Sequence, residues 1–427
     1  MTYIEFFTKT ATENICACLA NVPDRVVMVG YNNLMELHAE RYKKILAERG
    51  HGDVEFVCRW VDSGDLQAIV RELCDIINEY PDSILDLTGG EELYLVAAGI
   101  VRERYKNIKM HYFDIADNKV HDCDGDGRTI LDGKPMHIGI SESIRLHGGD
   151  IIYSDDRPDG TYEWDMTNEF CRDIESMWEI CRNDVKKWNI QTGVFAAAEI
   201  LTGSDASTLC VSASVSQITD YLRRFNSHFV ILKEITERLY RLGLVIEYYH
   251  RGDSFFIKYK NEQVKRCLTK AGMALEMKIY LTALGMHDKD GKRSFCDVMN
   301  GVCIDWDGKI PAPDDTVNVE NEIDVMMMRG LVPTFVSCKN GFVQIEELYK
   351  LSTVAEQFGR RYARRALVAT SLDVESEFGR YFCERAERMG VVLITGVQDM
   401  TDEQIQEAIF KIYDGKPTFC LEKTKNM

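Results

Sequence analysis

Over roughly its first 115 residues the chain alternates short apolar runs with longer amphipathic ones, and this alternation restricts the fold more than any other feature. Strands are expected at Tyr3–Phe7, Arg25–Gly30, Val54–Cys58, Ser83–Leu87 and Ile108–Phe113. Helices are expected near Glu13–Ala20 and at Leu34–Arg49, Leu66–Tyr80 and Glu91–Tyr105. Strands separated by helices at this spacing imply a parallel, doubly wound α/β sheet. Such sheets take their ligands in the crevice beyond the carboxyl ends of the strands. Two loops fall there. Asp86-Leu87-Thr88-Gly89-Gly90-Glu91-Glu92 opens a helix directly after a strand, where glycines admit a close ligand and free helix N–H groups favour an anion. Thr8-Lys9-Thr10-Ala11-Thr12-Glu13-Asn14 follows the first strand with several hydroxyls. Neither loop is GxGxxG or Walker A, so dinucleotide or triphosphate binding is not supported. The plainer reading is that Thr12 caps a helix and Gly89-Gly90 makes a turn.

The second constraint lies late in the chain. Asn321–Gly341 reads as two apolar strands meeting at Arg329-Gly330-Leu331-Val332. With Gly330-Leu331 as a two-residue loop, Asp324 falls opposite Ser337 and Glu322 opposite Lys339. Period-2 alternation then puts Glu322, Asp324, Ser337 and Lys339 on one face. Carboxylates and a lysine on an apolar hairpin are costly to bury without partners or a metal. They suit a hard divalent cation with a lysine that activates water and steadies phosphate charge. A solvated ladder of cross-strand charges would alternate in the same way.

A length of 427 residues suggests two to three domains. No apolar run approaches the roughly 20 residues of a membrane span, and the N-terminus lacks the features of a signal peptide. Fourteen cysteines without a CxxC pair read as reduced thiols in a cytoplasmic protein. A net charge of −18 argues against a surface that attracts nucleic acid everywhere, but not against a local basic groove. Arg360, Arg361, Arg364 and Arg365 form one basic cluster; on a helix expected over Gln357–Leu367, i, i+4 spacing would align them. Asp122-x-Asp124-Gly125-Asp126-Gly127 resembles the start of an EF-hand loop but fails its later positions, so a surface turn is expected. In the middle, helices at Asn168–Trp188, Val211–Phe225 and Phe229–Leu242 lead to a hairpin around His250-Arg251-Gly252-Asp253, the pattern of a winged helix. Asp220, Glu234 and Glu237 favour a structural connector over a DNA reader. One long helix is expected over Glu262–Leu284, with Glu276 on a mainly apolar stripe as a snorkelling residue or a site ligand.

Taken together, the Asp86–Leu93 loop after Rossmann-like units resembles the ligand loop of CARF (CRISPR-associated Rossmann-fold) domains. Glu322-Ile323-Asp324-Val325 with Ser337-Cys338-Lys339 resembles the PD-(D/E)xK nuclease motif. The chain is thus similar to the cyclic-oligoadenylate-activated ancillary nucleases of type III CRISPR systems. The resemblance implies a CARF domain over 1–165, a winged-helix connector over 166–262 and a restriction-endonuclease-like domain over 263–427. It implies a homodimer whose CARF domains cradle cyclic tetra-adenylate with Thr10, Thr12, Thr88, Gly89, Gly90 and Glu91. It also implies Mg²⁺- or Mn²⁺-dependent cleavage of single-stranded DNA, nicking of duplex DNA and cutting of RNA. Asp324 and Lys339 match the motif, and Glu276 is the acid from the preceding helix. The cation would rest on Glu276, Asp324 and the Cys338 carbonyl, with Arg360, Arg361 and Arg364 on the nucleic acid. Ser337 departs from the motif where the second acid stands; either Glu322 replaces it or the Cys338 carbonyl completes the metal shell. The alternative is a winged-helix transcriptional regulator with a degenerate nuclease domain.

Overall fold

The computed structural model describes residues 1–115, 118–123, 129–130, 136–203, 207–308, 320–413 and 418–420. The EF-hand-like residues Asp124–Gly127 lie outside them. The N-terminal unit runs β1 (Thr2–Phe6), α1 (Ala11–Asn21), β2 (Arg25–Gly30), α2 (Leu34–Glu48), β3 (Glu55–Trp60) and α3 (Leu66–Glu79). It continues with β4 (Ser83–Asp86), α4 (Glu92–Arg104), β5 (Lys109–Asp114), β6 (Lys119–Asp122) and β7 (Thr129–Ile130). The sheet order is β3-β2-β1-β4-β5-β6-β7, parallel through β5, with β6 and β7 antiparallel at one edge. The strand order reverses between β1 and β4, so their carboxyl ends flank the crevice of a Rossmann-like sheet.

Next come α5 (Ile140–Leu146) and β8 (Asp150–Ile151), then α6 (Asn168–Asn183) and α7 (Val185–Thr202). The strand β8 pairs with the C-terminal sheet, so the stretch before residue 165 already contributes to that sheet. The helix expected to end at Trp188 stops at Asn183. Asp184 is extended, caps α7 through Lys187 N at 3.0 Å, and starts a second helix. The winged helix comprises β9 (Cys210–Ser214), α8 (Val215–Arg223), α9 (Lys233–Arg241), β10 (Val245–Arg251) and β11 (Ser254–Tyr259), with sheet order β10-β11-β9. The expected Val211–Phe225 helix is therefore corrected: its first residues pair with β11, and Ser214 caps α8. The long helix over Glu262–Leu284 is likewise two, α10 (Glu262–Thr269) and α11 (Met273–Gly285). Gly272 at φ +87° breaks it.

The C-terminal sheet is built from β12 (Asp297–Asp305), β13 (Glu320–Arg329), β14 (Val332–Lys339), α12 (Glu346–Gly359), β15 (Arg364–Ala369), α13 (Glu377–Arg388), β16 (Val391–Thr395), α14 (Asp402–Lys411) and β17 (Thr418–Cys420). Its order is β17-β16-β15-β14-β13-β12-β8, antiparallel on one side of β14 and parallel on the other. This is a restriction-endonuclease-like arrangement. The hairpin turns at Gly330-Leu331 as expected, with Arg329 opposite Val332. The helix expected over Gln357–Leu367 is corrected. It ends as a 3₁₀ turn at Arg360–Tyr362, and the apolar run that follows is β15, buried between β14 and β16. Arg360, Arg361 and Arg364 therefore share no helical face.

Apolar side chains cover both faces of this sheet. Val325, Met327, Val336 and Cys338 face α6, α11 and α14, while Met326, Met328, Phe335 and Leu367 join α1, α2, α5, α12 and α13 in one continuous core. The N-terminal helices α1 and α2 thus pack into the same core as the C-terminal sheet. That shared core joins the two halves mechanically.

Candidate active site and ligand crevice

The hairpin is a ladder only as far as Val325, which faces Val336. At Asp324 the ladder gives way to a side chain: Asp324 Oδ2 accepts the Cys338 N–H at 2.6 Å and the Ser337 hydroxyl at 3.2 Å. On the other side Asn300 of β12 holds the Asp324 carbonyl at 2.9 Å, and Trp164 donates to Asn300 at 3.1 Å. The carboxylate is wedged between two strands. A residue in an extended strand sends its N–H and C=O to the same edge, so the Cys338 carbonyl also faces this gap.

The remaining groups converge on Asp324. Lys339 Nζ lies 3.8 Å from Asp324 Oδ2 and 3.0 Å from Glu347 of α12, which also reaches Lys350 at 3.5 Å. Burial works against the Lys339 charge, but Asp324 and Glu347 outweigh it and raise its pKa. Burial raises Asp324, an effect opposed by Lys339 and the Cys338 N–H. Glu276, buried on α11, is pushed up to about 8 by burial first and then by the Asp324 charge. Its Oε2 is buried and has no hydrogen-bond partner among the described residues. Glu322, Asp324, Ser337, Lys339 and Glu347 line one small cavity of about 60 Å³. The expected four-residue face is therefore present.

Two residues that sequence reasoning missed complete the cluster. Lys270, in the break between α10 and α11, ion-pairs with Glu322. Burial lowers its pKa, but Glu276 and Glu322 lift it to a net rise. Glu347 anchors Lys339. No spacing in the sequence pointed to either. Lys270 sits 52 positions from its partner, and Glu347 lies on α12, beyond the end of the β14 strand that carries Lys339.

The fit to a divalent cation can be tested on these groups. Buried acids crowding one another, with one carboxylate oxygen unpartnered, suit a hard cation that takes oxygen ligands. Among the described residues no three His, Cys, Asp or Glu side chains form a ready ligand set. Glu322 is turned to Lys270 and so does not replace the missing second acid in this geometry. Two carboxylates, Glu276 and Asp324, with the Cys338 carbonyl are the donors that fit.

At the first sheet, the two polar loops meet. Thr8 N–H donates to Asn14 Oδ1 at 3.1 Å, and Asn14 Nδ2 reaches the Phe6 carbonyl at 2.8 Å. A Cβ on Gly89 would stand 3.0 Å from Asn14 Nδ2. Gly90, at φ +101°, would press its Cβ to 2.6 Å from that of Phe6. These glycines seat the loop on β1. Thr88 is buried and occupied, donating to Asp86 Oδ1 at 2.5 Å while its hydroxyl accepts the Phe113 N–H at 2.9 Å. Thr12 is buried in the first turn of α1, Thr10 is its N-cap residue without a side-chain cap bond, and Glu91 is exposed and bonded by Tyr31. Among the side chains of the six expected ligand contacts, Thr10 and Glu91 are thus the ones that are not buried.

Beneath the loop lies an unexpected acid pair. Glu5 and Asp86 are register partners on β1 and β4, and both are buried. Burial and then the Asp86 charge raise Glu5 well above the carboxylate range, while burial raises Asp86 to about 6.

The basic cluster has another role. Arg361 ion-pairs with Glu13, in the first turn of α1, and Tyr362 donates to Glu13 Oε1 at 2.9 Å. Arg365 holds Glu356 at 3.1 Å and the Met389 carbonyl at 3.1 Å. Arg361 and Tyr362 thus join the two halves of the chain, whereas Arg365 bonds within the C-terminal half, and none of the three lines the hairpin cavity. No helix among the described residues is long and apolar enough to cross a membrane.

No protein-family model and no curated protein matches the chain. Solved structures do. Protein VC1899 from Vibrio cholerae superposes with a TM-score of 0.68 at 14% identity, covering 97% of each chain. Can2 from Sulfobacillus thermosulfidooxidans, in complex with cyclic tetra-adenylate, gives 0.64 at 14% identity, again over 97% of each chain. At such identity the likeness establishes a shared fold along the whole chain.

Proposed function

We propose that this chain is a metal-dependent nuclease of type III CRISPR defence, cytoplasmic and homodimeric, switched on by cyclic tetra-adenylate bound at the β1–β4 crevice. Single-stranded DNA is its first substrate, with nicking of duplex DNA and cutting of RNA as further activities. The observation that carries this reading is the Asp324 carboxylate wedged in the opened hairpin, facing buried Glu276 and the Lys339–Glu347 pair. The shared fold with a protein solved in complex with cyclic tetra-adenylate supports the activator.

Glu276, Asp324 and the Cys338 carbonyl would hold Mg²⁺ or Mn²⁺, which supplies Lewis acidity toward the phosphate and a more acidic bound water. Lys339, kept charged by Asp324 and Glu347, is placed to steady the developing negative charge and to orient the attacking water. Ser337 and the Cys338 N–H fix the Asp324 carboxylate, so it need not reorganise when substrate arrives. Lys270 neutralises Glu322 at the rim of the site. Activation requires that the ligand favour one dimer geometry over another. The Glu13–Arg361 pair is the contact through which α1 would transmit it.

The test is cleavage of single-stranded and supercoiled DNA with Mn²⁺, with and without cyclic tetra-adenylate. Activator-stimulated cutting that disappears in Asp324→Ala and in Lys339→Ala is expected; full activity in both variants would refute the assignment.

A further inference from the structure

Four large aromatic side chains stand in the open beside the hairpin site. Phe342 is 75% exposed, Tyr381 51%, Tyr349 44% and Phe378 41%. Singly exposed apolar residues need no explanation, but a connected group of them does. Phe342 stacks on Phe378 at 6.0 Å with the rings 20° apart, and Phe378 rests on buried Phe382 at 5.8 Å. Arg385 places its guanidinium 5.8 Å from the Tyr349 ring and 5.9 Å from the Tyr381 ring. The strip is thus a row of rings with a cation among them, held in place from below.

Its position connects it to the chemistry. Phe342 follows Lys339 by three residues, and Tyr349 follows Glu347, the Lys339 partner, by two. Lys350, on the same turn of α12, lies at the edge of the hairpin cavity. On its other side Phe342 walls an open groove of about 480 Å³ that reaches Lys186 and Asn189 of α7. Phe342 thus borders the groove, and Lys350, next to Tyr349 in sequence, borders the acid cluster.

We propose that Phe342, Phe378, Tyr381 and Tyr349, with Arg385 between them, form a base-stacking platform that seats single-stranded nucleic acid next to the Asp324–Lys339 site. The identity of the site as a nuclease centre rests on the function proposed above; the binding does not. A chain of net charge −18 gains little from phosphate attraction over most of its surface. Ring-on-base stacking contributes about 1–3 kcal/mol per base whatever the sequence. Bases inside a duplex already stack on one another, so this surface selects unpaired strands. Arg385 and Lys350 meet the phosphates that accompany the stacked bases, and either sugar fits such a surface.

The experiment is fluorescence anisotropy with labelled oligo-dT, oligo-rU and a blunt DNA duplex in EDTA, where no cleavage occurs, with and without cyclic tetra-adenylate. Phe342→Ala and Tyr381→Ala are expected to weaken single-strand binding by roughly 5- to 150-fold each. Phe342→Tyr should restore it, and the weak duplex binding should not move. Both positions are exposed, so unchanged melting temperatures are expected to accompany the loss. Comparing oligo-dT with oligo-rU separates a DNA from an RNA platform. Unchanged single-strand affinity in the double variant, or an equal loss for the duplex, overturns the platform. Variants that alter oligomer size in light scattering while binding oligonucleotide normally would assign the rings to protein contact instead, and likewise overturn it. If stacking is lost in the variants but the wild-type protein cuts nothing with Mn²⁺, the nuclease reading fails while the platform stands.

Discussion

Replacing Glu5 by Gln isolates the buried acid pair under the ligand loop. Glu5 and Asp86 face each other across β1 and β4, fully enclosed. Burial first, and then the Asp86 charge, raise Glu5 well above its ordinary value, while burial raises Asp86 to about 6. A raised folded pKa means that the native state binds a proton that the unfolded state has released. The stabilising contribution is complete below the unfolded value of 4.5 and is lost as pH rises toward the folded one. For one proton the slope is at most about 1.4 kcal/mol per pH unit, and the loss accumulates over the interval between the unfolded and the folded value. Gln keeps a donor toward Asp86 and does not titrate. The variant is therefore expected to hold its stability over that interval while the wild type declines. Glu276 titrates with the same sign in both proteins and cancels in the difference. Calorimetric melting at several pH values across that interval reads the effect, at about 2–4 °C per kcal/mol for a unit of 150–250 residues. Parallel decline of both proteins would show that Glu5 is ionised in the native state and refute the reasoning.

Three further perturbations address single contacts. Thr88→Val strands the Phe113 N–H and removes a hydroxyl bond from the Asp86 carboxylate, costing about 2–4 kcal/mol in a melting experiment. Gly90→Ala is expected to destabilise the first domain by about 1–3 kcal/mol, because its positive φ and the Phe6 Cβ at 2.6 Å both oppose a side chain. Glu13→Ala is expected to leave cyclic tetra-adenylate affinity nearly intact, as read by calorimetry. It should lower activator-stimulated cleavage by roughly 5- to 150-fold, the range of an ordinary coupling energy. Full stimulation in that variant would place the coupling elsewhere.

The first sheet was legible because each of its elements carries its own period. Arg25–Gly30 has the same bounds by either route, and Leu34–Glu48 differs from expectation by one residue. The hairpin register followed from one glycine turn. Legibility failed where two signals overlapped. The Arg364–Ala369 strand is a continuous apolar run behind a basic helix end, and only burial between two parallel neighbours makes it a strand. In the same way Cys210–Ser214 merges into the helix after it until pairing with β11 separates them. The candidate site was half visible. Asp324, Lys339 and Glu276 follow from strand and helix faces, whereas Lys270 and Glu347 reach them across tertiary gaps that no local pattern records. The arginine cluster misled because helical spacing was assumed for residues that turn and then extend.

The proposed nuclease centre requires a cation held by the opened hairpin, and Mn²⁺ binding followed by electron paramagnetic resonance tests it directly. Titration of the wild-type protein is expected to show a bound ion that is lost in both Glu276→Gln and Asp324→Asn but kept in Glu322→Gln, whose carboxylate already belongs to Lys270. Identical Mn²⁺ binding in all four proteins would contradict it.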